Sequence, residues 1–290
     1  MKIMIIGDGF ITSHIRYEVI STRLCADDYQ IRHHILEVYK PDVIINCVGY
    51  CGNPNIDACE KNKEQTILTN LTIPTILATE CAKLNIKMIH IGSGCIFMGK
   101  SPNDKIDRSK CFKDCQSNDH FIDTGWTEED IANPKSFYSK TKYACDLAIS
   151  SLPNVCVLRI RMPISDKNAP RNLINKLLKY ENILEAENSV TFIKNLVNVI
   201  DWVIENNKTG IYHVTNPTPL THIQILEEYR KYHPEHKYNK INEEQLQEFI
   251  SAPRSNCFLN TDKLTSEGFT MTPSLQALEE CMASYVQGIK

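Results

Sequence analysis

The sequence predicts an α/β fold built on a doubly wound parallel sheet, with a smaller and mostly helical C-terminal lobe. Three observations support this prediction. The apolar run Ile3–Ile6 leads directly into the glycine-rich turn Gly7-Asp8-Gly9. Further apolar runs alternate with helical stretches over residues 1–160, a pattern typical of parallel sheets covered by helices on both faces. After Arg161 the alternation becomes irregular, which indicates a second lobe.

The individual elements follow from hydrophobic periodicity. Strands are predicted at 3–6, 41–49, 87–91, 155–160 and 210–214, and helices at 10–17, 62–84, 136–150, 192–206, 221–232, 243–250 and 273–285. We assign residues 1–160 to a dinucleotide-binding domain, to which 192–215 return, and residues 161–191 and 216–290 to a substrate-binding lobe. The polar stretch 99–134 interrupts this pattern and is predicted to close over a ligand.

Composition narrows the range of functions. The net charge at pH 7 is −3 and the pI is near 6.3, so no nucleic-acid partner is expected. No apolar run reaches the roughly 20 residues that span a bilayer, and the first residues do not resemble a signal peptide. Twelve scattered cysteines without a secretory context predict a reduced, cytoplasmic protein. Cys111 and Cys115 lack a second Cys/His pair, so no metal is expected.

The turn after the first strand carries the cofactor prediction. The pattern Gly7-x-Gly9-x-x-Thr12 matches the dinucleotide fingerprint at its first two glycines and departs from it at Thr12. Backbone amides around Gly9, Phe10 and Ile11 would approach a pyrophosphate. Hydroxyls and a guanidinium at 21–23 stand where NAD enzymes usually carry an acid, so Arg23 favours NADPH, with NADH as the alternative. A plain βα turn and a solvated Arg23 are the other interpretations.

Tyr138 and Lys142 form a Tyr-x-x-x-Lys pair at the start of a predicted helix. Positions i and i+4 share one helical face, so the Lys142 ammonium would lower the pKa of Tyr138 from about 10. Ser93 ends a predicted strand, and ligands bind beyond the carboxyl ends of strands in such sheets. This set predicts proton transfer to a carbonyl beside a nicotinamide. A surface Tyr–Lys pair is the alternative.

Two further residues could move protons on carbon. Cys95 lies two positions after Ser93, on the same side of an extended strand end. Lys176 stands in a predicted helical segment of the C-terminal lobe. Their positions alone are equally compatible with a buried structural thiol and a solvated helix charge.

Several longer sequence motifs are more specific than the Tyr-x-x-x-Lys pair. They are GNPNIDACE at 52–60, GCIF at 94–97, SFYSKTK at 136–142, RIRMPIS at 159–165, PRN at 170–172, TGIY at 209–212 and APRSN at 252–256. With the glycine turn, they resemble the nucleotide-rhamnose synthase/epimerase-reductase family of the extended short-chain dehydrogenase/reductase superfamily. The resemblance covers nearly the whole chain and departs from the family at Thr12 and in a shorter segment at 18–28.

The resemblance implies a Rossmann fold and a homodimeric enzyme that converts UDP-4-keto-6-deoxy-D-glucose to UDP-L-rhamnose with NADPH. It implies that Cys95 acts as base and Lys176 as acid in epimerisation at C3 and C5 of the sugar. It also implies that Arg254 pairs with the UDP diphosphate. A dTDP sugar, a reductase without epimerase activity, and a non-catalytic dinucleotide-binding subunit remain as alternatives.

The resulting candidate sites form three sets. The catalytic set comprises Ser93, Cys95, Tyr138, Lys142 and Lys176. The cofactor-binding set comprises Gly7, Gly9, Phe10, Ile11, Arg23, Cys47, Val48, Gly49, Tyr50, Asn70, Tyr138, Lys142 and Arg161, although Asn70 could instead bond nearby backbone. The substrate-binding set comprises Cys95, Phe97, Tyr138, Asn172, Lys176, Arg254 and Asn256.

Overall fold

The computed structural model describes residues 1–17, 38–102 and 125–288. Strands are numbered in chain order. The strands of the main sheet are β1 (Ile3–Ile6), β2 (Val43–Asn46), β3 (Lys87–Ser93), β4 (Val155–Ile160) and β9 (Gly210–His213). They lie in the order β1-β2-β3-β4-β9, and every neighbouring pair is parallel. The carboxyl ends of these strands therefore meet at one edge, as the sequence predicts.

The described residues contain ten α-helices. They are α1 (Asp57–Lys61), α2 (Lys63–Ile67), α3 (Ile73–Lys83), α4 (Phe137–Ile149), α5 (Leu173–Leu177), α6 (Ile193–Glu205), α7 (His222–Arg230), α8 (Glu243–Leu246), α9 (Asp262–Ser266) and α10 (Ser274–Gly288). A π-helical segment, Leu68–Thr72, joins α2 to α3.

Helices cover both faces of the main sheet. Alternate residues of each strand point to opposite faces, so each strand packs against helices on both sides. On one face, Met4, Ile44 and Met88 pack against α3 and α4. On the other face, Ile5, Ile45 and their neighbours pack against α6. Apolar burial on both faces accounts for the nearly continuous hydrophobic character of these strands. The predicted doubly wound architecture is confirmed.

The predicted helix 62–84 matches α2, the π-helical segment and α3, which follow one another without a break, and the non-helical backbone of Asn62 (φ −111°, ψ 59°) separates them from α1. Another predicted helix differs from the observed structure. Within the described residues, the predicted helix 10–17 is a single 3₁₀ turn, Thr12–His14. There the Ser13 hydroxyl and the His14 ring both bond the Phe10 carbonyl, at 2.9 and 2.8 Å. Such local side-chain bonds compete with helical hydrogen bonding.

The remaining strands are short. They are β5 (Pro163–Ile164), β6 (Asn182–Leu184), β7 (Glu187–Asn188), β8 (Thr191–Phe192), β10 (Leu220–Thr221) and β11 (Asn239–Ile241). They form three two-stranded pairs, β5 with β8, β7 with β10 and β6 with β11. Together with α5, α7 and α10 they enclose a second apolar core that includes Ile174, Phe192, Leu226 and Met282. None of the helices described here is both long and apolar enough to cross a membrane.

Candidate active site

The glycine turn lies against the end of β2. Gly7 has φ +111°, and a Cβ there would lie 3.1 Å from the carbonyl carbon of Cys47. Gly9, by contrast, faces open space, since no heavy atom lies within 4 Å of the corresponding Cβ position. Phe10 and Ile11 are half-buried and pack on the adjacent apolar core. A tight turn with an open glycine at the carboxyl edge fits the pyrophosphate of a dinucleotide.

The turn after β2 is braced from the π-helical segment. Asn70 accepts a hydrogen bond from the Tyr50 amide (2.7 Å) and donates one to the Tyr50 carbonyl (2.9 Å). Its side chain therefore fixes the backbone around Gly49 and Tyr50, beside Cys47 and Val48. This bonding was the alternative interpretation of Asn70. Arg23 lies outside the described residues, so the preference for NADPH stays a prediction.

Ser93 and Cys95 occupy a tight 3₁₀ turn at the end of β3. The Ser93 hydroxyl accepts a hydrogen bond from the Cys95 amide (3.2 Å). The Ser139 hydroxyl, on the first turn of α4, donates to the Cys95 carbonyl (2.7 Å). Gly94 is required by close packing, because a Cβ there would lie 2.4 Å from Leu259 Cδ1. The strand end and the start of α4 are thereby held together.

Tyr138 stands on that first turn of α4 and is half-buried. Burial raises the pKa of Tyr138 far above its ordinary value, and the nearby thiols of Cys95 and Cys51 act in the same direction. A hydrogen bond from the Ser93 hydroxyl favours the phenolate and opposes this rise in the pKa. Tyr138 is therefore a protonated phenol at neutral pH, ready to donate a proton.

The pKa of Tyr138 is raised and not lowered as the spacing with Lys142 predicts, because burial dominates. Lys142 Nζ donates to the Ile91 carbonyl (3.1 Å) and lies 3.2 Å from His90 Nε2. Burial, with the Lys142 charge, lowers the pKa of His90 well below its ordinary value, so this imidazole is neutral. Polar groups of β3 therefore bind the ammonium, and a contact between Lys142 and Tyr138 stays a prediction.

His90 itself is a site residue that the sequence analysis missed. It is fully buried in β3, and its Nδ1 lies 3.0 Å from the side-chain nitrogen of Asn46 on β2. Both residues interrupt apolar runs with a polar side chain. That interruption was the available signal, since buried polar groups in strands need partners.

Lys176 on α5 is half-buried. Burial lowers the pKa of Lys176, and the charge of Arg171 lowers it further. The thiols of Cys51 and Cys95 act in the opposite direction. The structure thus brings Cys95, Tyr138 and Lys176 together and adds Cys51 and Arg171, two residues without a predicted role.

Phe97 is a correction. Its ring is fully buried, stacks on Trp126 with centroids 4.9 Å apart and meets His213 edge-on at 5.7 Å. The ring therefore belongs to a satellite core with Ile96 and Leu259. Phe97 was predicted to bind substrate, but the chain turns inward after Cys95.

Arg161 is a second correction. It is almost fully buried, and its guanidinium donates to Asn188, to the Ser255 hydroxyl (2.7 Å) and to the Ser255 carbonyl (2.8 Å). It ties the end of β4 to the loop after α8. Arg161 was predicted to bind the cofactor, whereas its guanidinium bonds residues of the second lobe.

Three residues that were predicted to contact the substrate form hydrogen bonds to other groups of the protein. Asn172 donates to the carbonyls of Ser165 (2.7 Å) and Lys167 (2.8 Å) and caps α5. Asn256 donates to Glu243 (2.8 Å) and accepts from Asn188 (3.1 Å). Arg254 forms a two-pronged ion pair with Asp57. These contacts give the three residues structural roles and offer no support for a substrate contact.

The described residues hold no cluster of three or more His, Cys, Asp or Glu side chains that could bind a metal ion. Their cysteines are free thiols. Cys111 and Cys115 lie outside the described residues.

Comparison with known proteins agrees with this fold. A bifunctional dTDP-4-dehydrorhamnose 3,5-epimerase/dTDP-4-dehydrorhamnose reductase of Arabidopsis thaliana is 36% identical over 256 residues, covering 87% of this chain and 78% of that protein. The crystal structure of the L780 UDP-rhamnose synthase from Acanthamoeba polyphaga mimivirus is 30% identical, with a TM-score of 0.85 over 98% of this chain and 99% of that one.

A dTDP-4-dehydrorhamnose reductase from Bacillus anthracis, solved in complex with NADP, shares the fold at 18% identity, with a TM-score of 0.78 over 99% of both chains. These relatives confirm the resemblance to nucleotide-rhamnose enzymes that the sequence motifs indicate. Residues 14–287 match the family described as the RmlD substrate binding domain. The chain therefore belongs to the RmlD substrate-binding domain family.

Proposed function

We propose that this protein is a bifunctional 3,5-epimerase and 4-keto-reductase that converts UDP-4-keto-6-deoxy-D-glucose to UDP-L-rhamnose with NADPH. The observation that carries the proposal is that hydrogen bonds hold Ser93 and Cys95 against the first turn of α4, which bears Tyr138, at the carboxyl edge of the sheet. The Cys95 thiol also acts on the charge of Lys176. The names of the Arabidopsis and mimivirus relatives support it, since one combines epimerase with reductase and the other is a UDP-rhamnose synthase.

The residues at the ends of β1 and β2 would hold the cofactor. The open turn at Gly9 fits a pyrophosphate, and Cys47 to Tyr50 line the adjoining strand end. Lys142, held near Ile91, would reach the nicotinamide ribose. When bound, a nicotinamide cofactor supplies the hydride for the sugar C4.

Epimerisation needs a base and an acid on opposite sides of the sugar ring. The C4 ketone acidifies the hydrogens at C3 and C5. The Cys95 sulfur removes one as a proton, and the Lys176 ammonium returns a proton to the other face. Burial lowers the pKa of Lys176, which makes its ammonium a better proton donor. Hydrogen bonds from Ser93 and Tyr138 stabilise the charge that develops on the C4 oxygen.

Reduction needs a proton donor at the C4 oxygen. Burial keeps the Tyr138 phenol protonated, so it can donate to this oxygen as the negative charge forms. Ser93 also stabilises the charge on the C4 oxygen, so exchange at carbon by Cys95 and Lys176 is expected to persist without the Tyr138 phenol, and the two half-reactions are separable.

The direct test is incubation with UDP-4-keto-6-deoxy-D-glucose and NADPH in deuterated water, followed by NMR of the sugar. The expected product is UDP-L-rhamnose with deuterium at C3 and C5. A reduced sugar that keeps the D configuration would show that the protein is a 4-keto-reductase without epimerase activity. If NADPH is not consumed at all, the catalytic proposal is wrong.

Two variants separate the half-reactions. Cys95→Ala is expected to bind NADPH normally and to lose deuterium uptake at C3 and C5. Tyr138→Phe is expected to lose reduction by about 10²- to 10⁴-fold while exchange persists. The control is Cys281→Ala, because Cys281 is a half-buried thiol of α10 that packs on the second core. Undiminished exchange in Cys95→Ala would exclude that thiol as the base.

A further inference from the structure

We propose that Arg171, rather than Arg254, binds the diphosphate of the nucleotide sugar, and that Arg254 serves as a clasp held by Asp57. This inference rests on the proposed function, because it names the residue that binds the anionic part of the same substrate. It follows from how the two guanidinium groups are partnered.

Arg254 is saturated by a matched carboxylate. Its two terminal nitrogens donate to the two Asp57 oxygens, both at 2.8 Å, and one of them also donates to the Ala252 carbonyl (2.6 Å). Asp57 in turn accepts from the Ala252 amide (2.7 Å). A planar fork on a carboxylate is the arrangement that a phosphate would otherwise use. A diphosphate would have to displace Asp57 to reach this arginine.

Arg171 is partnered differently. Its Nη2 donates to the Gly52 carbonyl (2.7 Å), a neutral acceptor. Within residues 1–17, 38–102 and 125–288, neither Arg171 nor Lys176 forms an ion pair with a carboxylate. Both side chains are half-buried, and the Arg171 charge acts directly on Lys176. Two like charges at such a site repel unless an anion lies between them.

The location of Arg171 fits the anion of this substrate. The hydrogen bond to Gly52 places the Arg171 guanidinium beside the loop that carries Cys51. The thiols of Cys51 and Cys95 and the charge of Arg171 all act on Lys176. Cys51 and Cys95 in turn act on the Tyr138 phenol. The sugar carries its diphosphate on C1, so the anion-binding residue must lie one sugar ring away from the groups that react at C3, C4 and C5. Arg171 borders that set of residues through Lys176.

The test compares UDP with uridine, because the two probes differ only in the diphosphate. Binding of each to the parent protein, Arg171→Gln and Arg254→Gln is measured by titration calorimetry. Arg171→Gln is expected to weaken UDP binding about 10- to 100-fold and to leave uridine unchanged, the loss typical of hydrogen bonds to charged groups. Arg254→Gln is expected to keep the parent ratio of UDP to uridine affinity.

Three outcomes would overturn the inference. These are UDP affinity of Arg171→Gln within twofold of the parent, loss of the UDP preference in Arg254→Gln instead, and a parent protein that binds UDP no better than uridine. None of them depends on turnover, so a failure here is distinct from a failure to form rhamnose.

A second variant covers the case in which Arg171→Gln does not fold. Arg171→Lys keeps a cation beside Gly52 but loses the planar fork, so UDP affinity is expected to fall at least about threefold with uridine unchanged. Parent-like UDP binding by this variant would contradict a two-pronged contact. Circular dichroism spectra establish that each variant is folded before its titration is interpreted.

Discussion

Two groups of charged side chains in this protein differ in how their charges are paired. Beneath α4, Arg159 lies 2.8 Å from Asp146, and both side chains are almost wholly buried, with exposed fractions of 3% and 0%. At α5, by contrast, Arg171 and Lys176 are half-buried and form no ion pair with any carboxylate of the described residues. Arg159 thus has its counter-charge within the fold, whereas the proposed substrate would supply the anion that Arg171 and Lys176 lack.

The buried group extends beyond one ion pair. Arg159 also approaches His213 Nε2 (3.3 Å), and the His213 amide donates to Glu128 (2.7 Å). Burial raises the pKa of Asp146 even though Arg159 acts in the opposite direction. Burial and the Arg159 charge lower the pKa of His213, so this imidazole is neutral. Desolvation therefore dominates this group, and its stability depends on every partner being present.

The largest expected effect tests the paired group. Arg159→Met leaves the Asp146 carboxylate buried without its cation, which is expected to lower the free energy of unfolding by about 3–5 kcal/mol. Urea denaturation at neutral pH measures this change. The double variant Arg159→Met/Asp146→Leu is expected to recover most of the loss, because no charge is then left uncompensated. Equal destabilisation of the single and double variants would show that packing, and not charge pairing, is responsible.

A smaller effect is expected for the clasp. The hydrogen bond from Arg254 lowers the pKa of Asp57 to about 2, below the ordinary value near 3.9. A depressed pKa in the folded state adds stability above the unfolded pKa, and this stability is lost as the pH falls through the folded value. Asp57→Asn is therefore expected to cost about 1–2 kcal/mol at neutral pH and nothing below pH 2.

Acid titration of the free energy of unfolding measures the contribution of Asp57. The parent should lose more stability than Asp57→Asn between about pH 4 and pH 2. Glu267→Gln is a matched control, because its ion pair with Lys208 (2.9 Å) lies at the other side of the sheet, beside β9. Parallel curves for the parent and Asp57→Asn would mean that the clasp adds no stability.

The sequence predicted the parallel sheet and the position of Ser93 at a strand end correctly, because hydrophobic periodicity is a local property. Ser93, Cys95 and Tyr138 come together because two neighbouring segments, the end of β3 and the start of α4, lie side by side. Arg254 could not be interpreted in this way. Its partner Asp57 is 197 positions away, and no local pattern reports which carboxylate a distant arginine will meet.

Side-chain direction was the other limit. Phe97 follows Cys95 by two residues, yet its ring turns into the core, and the Lys142 ammonium bonds polar groups of β3. Cys51 was overlooked for the converse reason. It directly follows the predicted cofactor segment, but nothing local indicates that the loop carries its thiol toward Tyr138 and Lys176.

The smallest expected change in stability belongs to the unpaired group. Lys176→Met removes a half-buried charge that has no carboxylate partner in the described residues, so the free energy of unfolding should change by less than about 1 kcal/mol. The same variant is expected to lose deuterium exchange at C3 and C5. In the parent, exchange should decline with rising pH as the ammonium is depleted. Because burial lowers the pKa of Lys176, this decline should occur at a pH below the ordinary lysine pKa of about 10.4. A large loss of stability would place Lys176 with the paired cations instead.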